Sequence, residues 1–481
     1  MRPRGLIAVA IALVASLTAY LLLTSTFGAA LQAEGVSSTS LGCEPSPGAQ
    51  IAGIATPYTC VDVGFRPDPD GFSFANWGQL HQDDSITTQT LVSLFGAENV
   101  CVLSGRRKAC TPRPAAVRWA AQLNELLANG RCEGLSVAAQ RFFTNPYEVS
   151  SLDPDSRTAG ELDRLTPHLV ESINYWWATQ MMPEVAGVAA ATRNLQPSVI
   201  VADLVAGLRD GSANTVGIYA ERGGHALTPF AVTYDMPWFS IWVYDSNQPG
   251  APGRILVDPA TEQWHYQATP GPNAETDEGW TGSGPGGLEY TPMSVRMRDF
   301  TAPFSDRASE NDFAYILIAS SPDPETEVDL RLTGEGIDID TSQGRSASDQ
   351  VIVDEISDDN GFELALVVYV RPSVPLTIQA SVNAAGKPLR ISIDGPALPW
   401  QEFSLVPPAT GPIPLTIGIS NESGTTATVA SGLTVTADYD VYYDDPREQL
   451  VSRTVAGPGE IHVPSGRELA FDLLGMPSQL S

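Results

Sequence analysis

Hydrophobic positions fall into three regimes along the chain. The first is "RPRGLIAVAIALVASLTAYLLLTSTFGAA", an uncharged apolar run behind Arg2 and Arg4, long enough to cross a bilayer as a helix. Small residues at Gly28 and Ala30 also permit cleavage, so residues 1–33 read as a signal anchor or a signal peptide, and the remainder is exported either way. The second regime mixes helical and strand periods. After Pro114, Trp119, Leu123, Leu126 and Leu127 recur at helical spacing, with Gly130 suited to the stop. Leu135, Ala138, Ala139, Phe142 and Phe143 then mark a second helix. "GGHALTPFAV" is apolar on both faces, as a central strand requires, and "PWFSIWVYDSNQPGAPGRILVDPATEQWHYQ" reads as three short strands separated by turns. The third regime begins near residue 301. There "TEVDLRLTGEGIDIDTSQG", "GFELALVVYVRPSVPLTIQASVNAAGKPLRISIDG" and "GPIPLTIGISNESGTTATVASGLTVTADYDVYY" alternate β-branched and polar residues, predicting an antiparallel β-sandwich-like region over 301–481.

Composition supports a folded ectodomain. The 481 residues include 43% hydrophobic positions and nine Trp, enough for two or three domains with real cores. A net charge of −29 excludes nucleic acid and anionic lipid surfaces as partners, since phosphate recognition needs clustered Lys and Arg. Membrane contact is then confined to the N-terminal helix. Acidic stretches such as "DEISDDNG" lack the ligand spacing of a calcium loop, and no motif calls for a metal or a cofactor.

An exported chain with five cysteines is expected to form disulfides and to leave one thiol over. Cys43, Cys60, Cys101 and Cys110 lie in loops rich in Pro, Gly and polar residues. Sequence neighbours pair most simply as Cys43 with Cys60 and Cys101 with Cys110, with two other connectivities open. Cys132 is the remainder, and it begins the second helix. Free N–H groups and the helix dipole at that position stabilise a thiolate, the nucleophilic form. A base is then needed. Of five histidines, His225 stands out, following two glycines at the start of the central strand. Asp245 ends the next strand on the face of Ile241 and Val243, where a carboxylate needs a partner such as imidazolium.

The segments "GRCEGLS", "GGHALTPFAV" and "IWVYDSNQPG" together resemble the papain-like cysteine peptidases, in particular exported bacterial relatives with G-x-C-x-G-[LM]-[SA], G-H-A-[VL]-x-P-[YF] and Y-D-x-N-x-P elements. The resemblance covers roughly residues 70–300. It implies an α+β papain-like catalytic domain there, behind a disulfide-containing linker over 34–69. It also implies Cys132 as nucleophile, His225 as general base and acid, Asp245 or Asn247 as the orienting residue, and a peptide or protein substrate. One departure matters. Papain-type enzymes carry a glutamine a few residues before the cysteine as an oxyanion donor, whereas Leu126 stands at the sixth position upstream and Gln122 lies too far back. The donors left are the backbone N–H of Cys132 and the amide of Asn129, a residue equally suited to ending a helix. Two other readings therefore stay open: a transglutaminase-like or cell-wall amide thiol hydrolase, and a cell-surface binding protein on a degenerate peptidase scaffold.

Overall fold

The computed structural model describes residues 36–464, apart from 79–83, 103–109, 213, 221–222, 269–279, 304–314, 322, 324–325, 344–347, 349, 358–362, 372–373, 396–397, 421–422 and 441–449. The expected N-terminal apolar helix lies outside the described residues. Among the described residues no helix is long and apolar enough to cross a membrane.

The helices begin where the sequence provides starts. Helix α1 (Thr88–Phe95) is capped by the Thr87 hydroxyl, and α2 (Pro114–Leu127) begins on a proline. Helix α3 (Cys132–Thr144) follows after one turn, and α4 covers Leu169–Ala178. Prolines also open α5 (Pro183–Arg193) and α6 (Pro197–Asp210), and α6 ends at Gly211 in the left-handed region.

A nine-stranded antiparallel sheet organises this region. Its main path runs β1 (Glu44–Pro45), β2 (Tyr58–Asp62), β4 (Gly223–Asp235), β5 (Trp238–Tyr244), β6 (Pro252–Asp258), β7 (Gln263–Gln267) and β8 (Thr281–Ser283). Strand β3 (Asn214–Ala220) pairs with the first part of β4 and with β9 (Leu288–Pro292). Helix α6 covers one face, where Ile200, Val201 and Leu204 join Val216, Ile218, Ile241, Val243, Ile255 and Tyr266. Helix α3 covers the other, where Leu135, Ala138 and Phe142 meet Phe230, Ala231, Trp242 and Tyr244. That two-sided cover explains why β4 carries apolar residues on both faces.

Two disulfides join Cys43 with Cys60 and Cys101 with Cys110, and Cys132 stays outside any disulfide, half-buried; the loop placement expected for all four bridged cysteines does not hold for Cys60, which lies within β2, or for Cys101, which begins a two-residue strand. The remaining chain is all β among its strands. A seven-stranded sheet starts its strands, in spatial order, at Val351, Glu363, Tyr315, Leu389, Leu398, Thr434 and Leu450. A six-stranded sheet starts its strands at Ile337, Val328, Leu376, Gly411, Gly424 and Gly459. Leu317, Val353, Val368 and Phe403 of the first share one core with Leu330, Ile378, Ile417 and Ala427 of the second. The molecule is thus a mixed α/β fold with β-sheets in its C-terminal half. The change near residue 301 marks a switch of architecture and not a break in packing, because Ile318, Ile352, Val367 and Tyr369 on the outer face of the seven-stranded sheet pack with Trp119, Met182, Val185 and Ala186. Arg193 of α5 adds a buried ion pair, bridging Glu289 of β9 and Asp354 of that sheet.

Candidate functional site

Arg131 sets the start of α3. Its side chain is fully buried, yet its N–H groups donate to polar oxygens. Nε donates to Asn174 Oδ1 (3.1 Å), Nη1 to the carbonyls of Trp77 and Gly78 (2.9 and 2.8 Å), and Nη2 to the carbonyl of Asp84 (2.9 Å). The guanidinium also lies 4.5 Å from the Trp77 ring centroid. A buried cation is tolerated because its donors are satisfied, and here it clamps the 76–78 segment and α4 onto the helix start. Asn76 completes the clamp: its Oδ1 accepts from the Arg131 N–H (2.8 Å) while its own N–H donates to the Ser246 carbonyl (2.9 Å). The residue before Cys132 and the residue after Asp245 are therefore tied to one asparagine.

Two further ties fix the helix against the histidine strand. Ser136 Oγ donates to the Ala226 carbonyl and Thr228 Oγ1 donates to the Ser136 carbonyl, both at 3.0 Å. Gly134, inside "GRCEGLS", is where α3 crosses α4: a Cβ there would overlap the Ile173 carbonyl and come within 2.9 Å of the Trp177 Cβ. Beside the thiol, the half-buried Glu133 pairs with the buried Arg296, whose Nη1 donates to Thr179 Oγ1 (2.8 Å).

His225 is buried, and its Nε2 lies 2.7 Å from Asp245 Oδ1. Burial works against its protonation, but the Asp245 carboxylate and then the Cys132 thiol, by hydrogen bonding and by charge, hold the imidazole well above its usual range. With Nε2 on the carboxylate, Nδ1 is the ring atom left for the thiol, and it is buried with no nitrogen or oxygen partner. Burial raises Asp245 in turn, yet His225, the Tyr266 hydroxyl and the Asn247 N–H outweigh it and hold the carboxylate below its ordinary value. Tyr266 Oη to Asp245 Oδ2 is 2.5 Å, and Asn247 N to Oδ1 is 2.7 Å. The Trp280 ring lies 6.3 Å from the His225 ring.

The structure thus brings Cys132, His225 and Asp245 together. It puts the Asp245 side chain, and only the backbone N–H of Asn247, on the histidine's carboxylate partnership. Asn129, named as an oxyanion donor, uses its amide on the carbonyls of Glu125 (3.1 Å) and Leu126 (3.4 Å), closing the end of α2. That is the helix-end arrangement, because the last carbonyls of a helix lack intrahelical donors. His81 lies outside the described residues. His168 is exposed beside Glu171, His265 packs edge-on to Trp238, and His462 meets Thr426 on the β region. No sequence motif marks Tyr266, Asn76, Arg131 or Arg296. The one local signal was the placement of Arg131 and Glu133 on either side of the cysteine. Among the described residues no three His, Cys, Asp or Glu side chains gather as a metal site would require. No protein-family model, curated protein or solved structure matches the chain.

Proposed function

We propose that the chain is an exported thiol hydrolase of papain-like type that cleaves peptide bonds through Cys132, His225 and Asp245. The observation that carries the reading is the buried 2.7 Å contact between His225 Nε2 and Asp245 Oδ1, with the Cys132 thiol, at a helix start and outside any disulfide, acting on the same imidazole. A buried imidazole held toward its charged form by a carboxylate is suited to accept a thiol proton and keep it. The two disulfides support an oxidising compartment, and the apolar N-terminal run supports export with or without retention as an anchor.

In this mechanism His225 Nδ1 takes the Cys132 proton and the thiolate adds to the carbonyl carbon of the substrate. The carbonyl electrons move to oxygen, where the backbone N–H of Cys132 at the first turn of α3 donates to the oxyanion. As the intermediate collapses the C–N bond breaks, the amine leaves with the proton from His225, and the acyl group remains as a thioester. Neutral His225 then takes a proton from water, becoming the imidazolium as the water oxygen adds to the thioester carbon; collapse breaks the C–S bond, releases the carboxylic acid and leaves the thiolate beside that imidazolium. Asp245 stabilises the imidazolium and fixes the ring.

The test is hydrolysis of unstructured protein by the purified full chain, compared with Cys132→Ser. Thiol-dependent cleavage that disappears in the variant is expected. Cleavage that persists in Cys132→Ser would overturn the reading, and no cleavage by either, with Cys132 reacting as an ordinary thiol, would point to a non-catalytic binding scaffold.

A further inference from the structure

We infer that Tyr266 is a positioning residue for the proposed hydrolase, reaching across β6 to fix the carboxylate that orients His225. The inference rests on the thiol-hydrolase reading and adds to it a residue that no sequence motif marks. Asp245 follows β5 and Tyr266 sits on β7, so β6 lies between them. Tyr266 stands opposite Ile255 in the β6 to β7 register. Two residues along on the same face of β6 is Gly253, opposite Val243 of β5. A Cβ at Gly253 would lie 2.7 Å from the Tyr266 hydroxyl oxygen and 2.9 Å from Cε2. The glycine is the gap through which the phenol crosses the intervening strand, and the hydroxyl ends 2.5 Å from Asp245 Oδ2. The tyrosine itself is 2% exposed, so the contact is made away from water, where a hydrogen bond to a carboxylate is strong.

The geometry divides the labour on one carboxylate. Oδ1 serves His225 and the Asn247 N–H, and Oδ2 is held by Tyr266. The titratable groups around Asp245 are His225 on β4, Cys132 on α3 beyond it, Tyr266 on β7 and Tyr244 at the end of β5. Removing the phenolic donor leaves a buried carboxylate with one fewer partner, so it takes a proton at higher pH. A protonated Asp245 no longer stabilises the imidazolium, and the thiolate is lost with it.

The experiment follows the rate of Cys132 alkylation by iodoacetamide against pH in the full chain, for wild type, Tyr266→Phe and Gly253→Ala, with thermal melting of each. In wild type an acid limb well below the ordinary thiol range of about 8.5 is expected. Tyr266→Phe should move that limb up by about one pH unit, the size expected for one hydrogen bond to a charged group. Gly253→Ala should move it the same way while keeping the tyrosine, because the new Cβ displaces the phenol. A tyrosine with a merely structural role would lower the melting temperature and leave the limb in place. An unshifted limb in Tyr266→Phe overturns the inference alone. A wild-type profile with no acid limb below that of an ordinary thiol overturns the hydrolase reading itself. Should Tyr266→Phe fail to melt cooperatively, Gly253→Ala decides, an unshifted limb again counting against the inference.

Discussion

Arg296, in the turn that follows β9, is buried and pairs with Glu133, the residue next to Cys132, whose side chain is only 14% exposed. Burial pushes the Glu133 carboxyl up and Arg296 pulls it back, with the Glu289 charge acting against that pull. Removing one member of a buried pair leaves the other charge uncompensated. Arg296→Met is therefore expected to cost about 3–5 kcal/mol in denaturant unfolding. The double variant Arg296→Met with Glu133→Leu should recover much of that loss. A double variant no more stable than Arg296→Met would show that the pair is not the source of the cost.

The Cys132 thiol should be chemically distinct. Non-reducing peptide mapping is expected to return the Cys43 to Cys60 and Cys101 to Cys110 bridges and one alkylatable cysteine, Cys132, in the native protein. Recovery of Cys132 in a disulfide would remove the nucleophile from the proposed mechanism.

The choice between Asp245 and Asn247 has a kinetic signature. Asp245→Ala removes the carboxylate from His225 and should lower kcat/KM at least about a hundredfold. Asn247→Ala keeps the backbone N–H that reaches Asp245 Oδ1 and should cost far less. The reverse ranking, with both variants folded, would assign the orienting role to Asn247.

Stability should depend on pH through the same pair. His225 is held above its unfolded value, so its contribution is complete below about pH 6.5 and is lost as pH rises through the folded value. Asp245 is held below its unfolded value, so its contribution is complete above about pH 3.9 and is lost as pH falls through the folded value. The gap in unfolding free energy between wild type and Asp245→Asn is accordingly expected to be widest between roughly pH 4 and 6.5 and to shrink on either side. A gap that is flat with pH would mean the pair does not titrate in the folded protein.

The shared core across residue 301 makes a further prediction. Limited proteolysis in the 295–325 stretch, at the exposed positions 297–299 and not within the strand at 315–320, is expected to yield two fragments that stay together on gel filtration, because Ile318, Ile352 and Val367 are buried against α2 and α5 residues and Arg193 holds Asp354. Fragments that separate in native buffer would show that this contact does not hold the two regions together.

Local elements and the odd thiol follow from short-range signals in the chain. Helical spacing, Pro114 and the turn at Gly130 bounded the helices on either side of Cys132, since these signals act within a few residues. Two-sided apolarity marked β4 as a central strand, and alternation marked the all-β C-terminal half. Simple neighbour pairing also suggested the cysteine bridges, without excluding the other connectivities. Which polar groups meet depends instead on contacts made by folding. A hydrophobic pattern says which face of an element is buried and is silent about which distant strand lies beside it, or in what register. Thus "EQWHYQ" reads as an ordinary alternating strand, and Tyr266 reaches Asp245 only because β6 intervenes with Gly253 at the crossing point. Arg131 reads as a turn residue, and only folding surrounds it with the carbonyls of Trp77, Gly78 and Asp84. The outer face of the seven-stranded sheet looks like the exposed side of a separate sandwich until α2 and α5 are seen to cover it. In each case burial was encoded locally, while the partner was set by contacts between segments far apart in sequence.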